Sequence, residues 1–239
     1  MGNHLPNGLR ATGTQRGLDG GDMGLRQYML RVYNYMAGGL ALTGVIGYIG
    51  ATSGFYMSVA GTPLFWVVVL APLGLVTFLS FRIESISLGT AQISFWVYAA
   101  LVGLSLSSIF LVYTGESIAR VFFISAATYG ATSVYGYTTR ADLSRFGSFL
   151  FMGLIGIVIA GLVNLFVAST TLQFVISVIG MLVFTGLTAY DTQRIRDIYI
   201  GGEDDVIADK KAITGALALY LDFLNIFLML MRLFGDRRR

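Results

Sequence analysis

The chain has 239 residues, 55% of them hydrophobic and only 12% charged, with a net charge of +3. A soluble domain is about 25% charged, so this chain cannot clothe a water-facing surface of ordinary size; that excludes a soluble enzyme or a nucleic-acid-binding module and makes it a polytopic membrane protein. It has no cysteine, which excludes disulfides, thiolate catalysis and cysteine metal sites.

In chain order, residues 1–30 come first. They are polar and Gly-rich with few large apolar side chains, and are expected to form a flexible cytoplasmic tail. The first apolar run comes too late, and without a clear cleavage site, for a signal peptide. His4, the only histidine, sits in this tail, and a lone histidine builds no metal site. A membrane-crossing helix takes about 20 apolar residues, and seven stretches have that character: 33–53, 62–81, 93–113, 117–137, 148–168, 172–194 and 213–234. They make one membrane domain over residues 31–235, closed by a basic tail at 236–239. Gly44, Gly47 and Gly50 in the first span, with Gly54 after them, and Gly153, Gly156 and Gly161 in the fifth are expected to let helix backbones approach. Pro72 falls inside the second span and is expected to kink it.

The basic residues set the orientation. Arg10, Arg16, Arg26 and Arg31 precede the first span, Arg82 follows the second, Arg140 and Arg145 the fourth, and Arg194, Arg196, Lys210 and Lys211 the sixth. The opposite connections, near 54–61, 114–116 and 169–171, hold no Lys or Arg, so the N-terminus is cytoplasmic. Seven crossings leave the C-terminus outside, yet the tail LFGDRRR is basic. Either the seventh span crosses against the rule, or it re-enters and its end stays inside.

Ionisable groups in hydrocarbon are costly, and each marks a candidate site. Asp222 lies well inside the seventh span, too deep for so short a side chain to snorkel; it needs a partner, a water cavity or a proton. Asn225, three residues on, shares its helical face. Asp191 ends the run FTGLTAYD; by length alone it reads as a helix-end residue at the interface, but Ile195, Ile198 and Tyr199 continue the pattern, which favours a helix that extends past it and keeps it partly buried. If the sixth and seventh spans pack antiparallel, Asp191 and Asp222 approach near the cytoplasmic side. Two carboxylates in contact cannot both ionise cheaply and titrate as a coupled pair. Such a pair can share a proton, hold a hard cation such as calcium through its oxygens, or do acid–base chemistry. Arg82 closes the second span at the cytoplasmic level, either as the pair's counter-ion or as a positive-inside anchor. Glu116 and Arg120, four apart at the start of the fourth span, read as a local helix pair, and Arg232 near the end of the seventh as a snorkelling side chain. Glu203, Asp204, Asp205 and Asp209 lack the alternating acids, central Gly and final Glu of an EF-hand loop, and read as a solvated acidic loop.

Three segments, YGYTTRADLS (135–144), TAYDTQRI (188–195) and ALYLDFLNIFLMLMRLFG (218–235), together resemble the Bax-inhibitor (transmembrane Bax inhibitor motif) family, its bacterial branch in particular. The resemblance covers about residues 30–235. It implies an all-α polytopic membrane protein of seven transmembrane helices, the last central and wrapped by the other six. It implies a bacterial inner membrane, with a mitochondrial or ER membrane as the alternative. It implies also a pH-sensitive calcium leak in which Asp191 and Asp222 form a proton-sharing dyad and, by position rather than motif, Arg82 acts as a latch.

The expected function is therefore a passive, non-enzymatic cation (calcium) leak in the lipid bilayer, gated by protons, with no cofactor and no nucleic-acid partner. The alternative is a non-catalytic regulator, engaging a membrane-bound AAA protease through the N-terminal tail or acting in a stress or cell-death response. An intramembrane aspartyl protease fits poorly. Tyr190–Asp191 suits one half, but Asp222 follows Tyr-Leu rather than Gly-x-Gly, and no Pro-Ala-Leu element follows, the prolines being Pro6, Pro63 and Pro72. A retinal protein needs a lysine inside the last span, whereas Lys210 and Lys211 precede it.

Overall fold

The computed structural model describes residues 8–238, with side chains from 23 to 238. In chain order the helices are α1 (Gly8–Thr52), α2 (Phe55–Val59), α3 (Pro63–Arg82), α4 (Leu88–Ser105), α5 (Ser107–Val112), α6 (Gly115–Thr138), α7 (Ser144–Val167), α8 (Thr170–Asp197) and α9 (Asp205–Phe234). The expected tail over residues 1–30 is cut short. Tyr28 and Met29 are 0% and 4% exposed, so this part of α1 belongs to the membrane domain. Tyr28, Met29, Val32 and Met36 are all buried and fall at helical spacing on one face; the polar residues before them hid that stripe. His4 lies outside the described residues.

Among the described residues six helices are long and apolar enough to cross a membrane: Met23–Thr52 of α1, α3, Leu88–Val112 across α4 and α5, α7, α8 and α9. The expected fourth span, 117–137, is α6, which at 24 residues has the length but not the apolarity. Hydroxyl side chains lower it. Ser125, Thr128, Thr132 and Thr138 each donate to the backbone carbonyl four residues back, which meets their polarity within the helix.

In α7 and α9 burial and apolarity run in opposite directions. Of the apolar window in α9, 72% is buried in protein, against 6% in the more apolar α7. Lipid tails are as apolar as leucine, so the outermost helices must be the oiliest. α9 is central, and α1, α4, α6 and α8 pack most extensively on it. α3 packs on α4, and α7 on α8, one layer further out. α3 is one helix through Pro72.

Contacts draw the connections into two groups. At one end Arg31 pairs with Asp209 (2.5 Å), Lys210 donates to the Glu84 carbonyl (3.0 Å), and Lys211 donates to the Ile198 carbonyl (3.3 Å). These are the segments rich in Lys and Arg. At the other end the C-terminal residues lie along the α5–α6 turn: the Thr114 N–H donates to the Asp236 carbonyl (3.0 Å) and the Arg238 N–H to the Val112 carbonyl (2.8 Å). α9 thus runs as one unbroken 30-residue helix from the basic end to the opposite end.

Three local expectations are corrected. Arg120 pairs not with Glu116 but with Asp236 (2.7 Å), which the C-terminal tail brings to it. The acidic run is not a free solvated loop: Asp204 caps α9 by accepting from the Val206 N–H (2.8 Å), and Glu203 pairs with Lys211 (2.6 Å). Of the glycines, Gly47, Gly50 and Gly153 face neighbouring helices, whereas Gly44, Gly54, Gly156 and Gly161 have open space beside them.

Candidate functional site

Successive residues on a helix point about 100° apart, and the segment TAYDTQRIR of α8 uses each direction for a different contact. Thr192, 0% exposed, faces α6, where its hydroxyl lies 3.0 Å from that of Ser133; Ser133 in turn lies 2.6 Å from the Tyr33 hydroxyl of α1. Gln193 grips the α6–α7 loop, accepting from the Leu143 N–H (2.8 Å) and donating to the Ala141 carbonyl (2.8 Å). Arg196 donates to the carbonyls of Tyr137 and Thr139 at the end of α6. Gly136 lets the Ala189 carbonyl lie against α6, where a Cβ would collide with it. The segments YGYTTRADLS and TAYDTQRI therefore bind one another, and the grip fixes the rotation of α8.

The rotation of α9 is fixed from two other sides. The Tyr220 hydroxyl lies 2.6 Å from Thr43 Oγ1 of α1, which donates to the Ala99 carbonyl of α4 (2.9 Å). The Phe223 ring packs edge-on against Tyr129 of α6, with centroids 5.6 Å apart. Between these anchors Asp222 is left pointing at α8. It is 4% exposed, and its carboxyl group comes within hydrogen-bond reach of Asp191. Asp222 Oδ2 has no donor partner among the described residues.

The pair lies on the wall of a cavity of about 660 Å³ between α7, α8 and α9. Apart from Asp191 and Asp222, its polar lining is Ser148, Tyr190, Arg194 and Asn225. Such a constellation can hold a proton between two oxygens, or offer oxygens to a cation. Among the described residues no cluster of three or more His, Cys, Asp or Glu could hold a metal ion.

The remaining predicted residues divide by place. Asn225 lines the cavity, its amide donating to the Leu221 carbonyl of its own helix (2.8 Å). Arg82 is exposed at the end of α3, which packs on α4 and α2 and is not brought to the pair. The turn after it is tied to Lys210, and the stretch of α9 from there to Asp222 is about 18 Å long, beyond an arginine's reach. Glu116, Arg120 and Arg232 lie at the opposite end, all exposed. Arg194, Ser148 and Tyr190 were not expected at the site. For Arg194 the signal was present in its spacing, three residues from Asp191 and on the same face.

Residues 25–239 match the family described as inhibitor of apoptosis-promoting Bax1. The chain is 50% identical over 218 residues to RP147, an uncharacterised protein of Rickettsia prowazekii, covering 91% of this chain and 92% of that one. It is 48% identical over 219 residues to the inner membrane protein YbhL of Escherichia coli K12, covering 90% and 94%. An uncharacterised protein of Borreliella burgdorferi is 42% identical over 215 residues, covering 89% and 93%. The chain belongs to the Bax-inhibitor family, and with its six apolar helices it is, like YbhL, a multi-pass inner-membrane protein.

Proposed function

We propose that this member of the Bax-inhibitor family is a passive, pH-sensitive cation leak that passes calcium across the bacterial inner membrane and is gated by the Asp191–Asp222 pair. The reading counts α6 as a crossing too, which gives seven, with the N-terminus cytoplasmic and the C-terminus outside. One observation carries it: carboxyl groups from successive helices meet within hydrogen-bond reach on the wall of a cavity in the membrane domain, and one oxygen there has no donor among the described residues.

Two carboxyl groups in such contact are held together by a proton between them. With the proton in place, α8 and α9 are tied at this depth. When it leaves, two like charges face one another, and the helices part or a cation takes the proton's place. α9 is the element both states act on, since four neighbours pack along it and a packed interface shifts between discrete arrangements. Calcium takes about six to eight oxygens, more than two carboxylates supply, so the ion is read as cargo and not as a resident cofactor. The pair is read as a gate and not as a catalytic dyad, and the gate is proposed without Arg82.

The test is calcium uptake into dye-loaded proteoliposomes on either side of neutral pH. Wild type is compared with Asp191→Asn, Asp222→Asn and the double variant. Each single change is expected to abolish the pH dependence, and the double to do no more than either, because the two residues act as one unit. Uptake no greater than in empty liposomes, from protein shown to be folded, would sink the leak and leave the non-catalytic regulator as the reading to pursue.

A further inference from the structure

The cavity between α7, α8 and α9 is lined by two acids and one base. α8 contributes Asp191 and Arg194, α9 contributes Asp222, and the lining residues of α7, from Gly147 to Val158, carry no charge. Arg194 is exposed and makes no ion pair or side-chain hydrogen bond among the described residues. At that end Arg31 pairs with Asp209, Arg196 with Asp197 and the end of α6, and Lys211 with Glu203; Arg26, Arg82, Arg140 and Arg145, which like Arg194 make no such contact among the described residues, do not line this cavity. Arg194 lies about 4.5 Å further towards the cytoplasmic end of α8 than Asp191, and its guanidinium is close enough to act on the Asp191 carboxylate. A side chain of that length, with no fixed partner among the described residues, can turn inward to the acids or outward to water and headgroups.

We propose that Arg194 is the counter-charge of the site: its guanidinium stands at the cytoplasmic mouth of the cavity and sets the barrier a cation meets before it reaches Asp191 and Asp222. The inference rests on the leak reading, and assigns to Arg194 the control that Arg82 is not placed to exert. With one proton shared, the pair carries a single negative charge and Arg194 makes the site neutral. With that proton gone the site is negative and draws a cation in. Without Arg194 the site is negative in both conditions.

The chain has no cysteine, so Arg194→Cys creates a single thiol that can be recharged chemically. In proteoliposomes Arg194→Cys is expected to raise calcium uptake about tenfold, the low end of what a cleft of one sign does to local counter-ion concentration. A methanethiosulfonate reagent with an ammonium head should return uptake towards wild type, and one with a sulfonate head should not. Arg194→Lys should behave as wild type and Arg82→Gln should leave uptake unchanged. If the two reagents act alike, the effect is steric and the inference is overturned. A second readout does not depend on ion flow. The ammonium reagent should react with the introduced thiol faster than the sulfonate reagent, and the preference should collapse when Asp191→Asn and Asp222→Asn are added. A preference that survives loss of both acids overturns the placement of Arg194. Absence of uptake from every variant, with that preference intact, fails the leak and keeps the placement.

Discussion

Thr43 has one proton to donate and gives it to the Ala99 carbonyl, so in its 2.6 Å contact with Tyr220 the tyrosine must be the donor. The two ends of this bond are therefore unequal. Tyr220→Phe removes a donor and leaves Thr43 still bonded, at a cost of about 1 kcal/mol. Thr43→Val leaves the Tyr220 hydroxyl buried without an acceptor, which costs about 1–3 kcal/mol. Thermal unfolding in detergent should place Thr43→Val below Tyr220→Phe; equal losses would mean that the bond does not order α9. Charges outside the membrane behave differently. The Ser144 hydroxyl and then its N–H hold the Asp142 carboxyl below the usual carboxylate range. A group lowered in this way stabilises the fold above its unfolded pKa of about 3.9 and loses that contribution as pH falls through the folded value. Near neutral pH Asp142 stays charged, so a pH-dependent flux there does not originate in the α6–α7 loop. The acid pair was legible in the sequence because a carboxylate in hydrocarbon stands out, and antiparallel neighbours bring Asp191 and Asp222 to one depth. Arg194 was not, because along the cytoplasmic edge every basic residue serves the same orientation signal. The partner of Arg120 was not either, since Asp236 reaches it only once the C-terminus has folded back on the α5–α6 turn.

Apart from α6, the long helices of this protein could be found from length and apolarity; their neighbours could not. A face turned to lipid and a face turned to another helix are both apolar, so periodicity does not separate them. The glycines show it. Gly156 belongs to a regular run of small residues on α7, yet open space lies beside it, while Gly136, in a segment of hydroxyls and aromatics, brings α6 against the Ala189 carbonyl of α8. Backbone stands on both sides of that second contact, so neither side can turn away. Gly136→Ala is expected to push α6 off α8 and lower stability by about 1–3 kcal/mol, the range for overpacking. It should also part Ser133 from Thr192, which lie 3.0 Å apart. Gly156→Ala meets nothing and gains helix propensity, up to about 1 kcal/mol. Thermal unfolding of the two variants side by side checks the assignment, and a loss from Gly156→Ala as large as that from Gly136→Ala would contradict it. The same contact bears on why α6 lacks the apolar stretch of the other long helices. Packed on α8 and α9, it needs little oil of its own.

At the scale of the molecule, the direction of α9 follows from what each of its ends touches. Its start is held by Arg31, which pairs with Asp209, and by the Glu84 carbonyl, to which Lys210 donates; its end is held by the α5–α6 turn. On the proposed seven-crossing reading the basic C-terminus stands against the positive-inside rule, and two features accord with that. The rule sums over all short connections, and those at the other end carry most of the Lys and Arg. The tail is also fixed by main-chain bonds at Thr114 and Arg238, and Asp236 is paired with Arg120. Seven crossings then place residues 200 and 237 on opposite sides of the membrane. With no native cysteine, Ile200→Cys and Arg237→Cys each carry one thiol, both at exposed positions. In spheroplasts a membrane-impermeant maleimide should label the Arg237→Cys variant and spare the Ile200→Cys variant, and permeabilised membranes should allow labelling of both. Labelling of the Ile200→Cys variant alone would invert the orientation, and protection of both would mean that α9 or α6 fails to cross. Orientation also decides which way the cavity of Arg194, Asp191 and Asp222 opens. On the proposed reading, with position 237 outside, the guanidinium faces the cytoplasm, and a proton shared by Asp191 and Asp222 exchanges with cytoplasmic water.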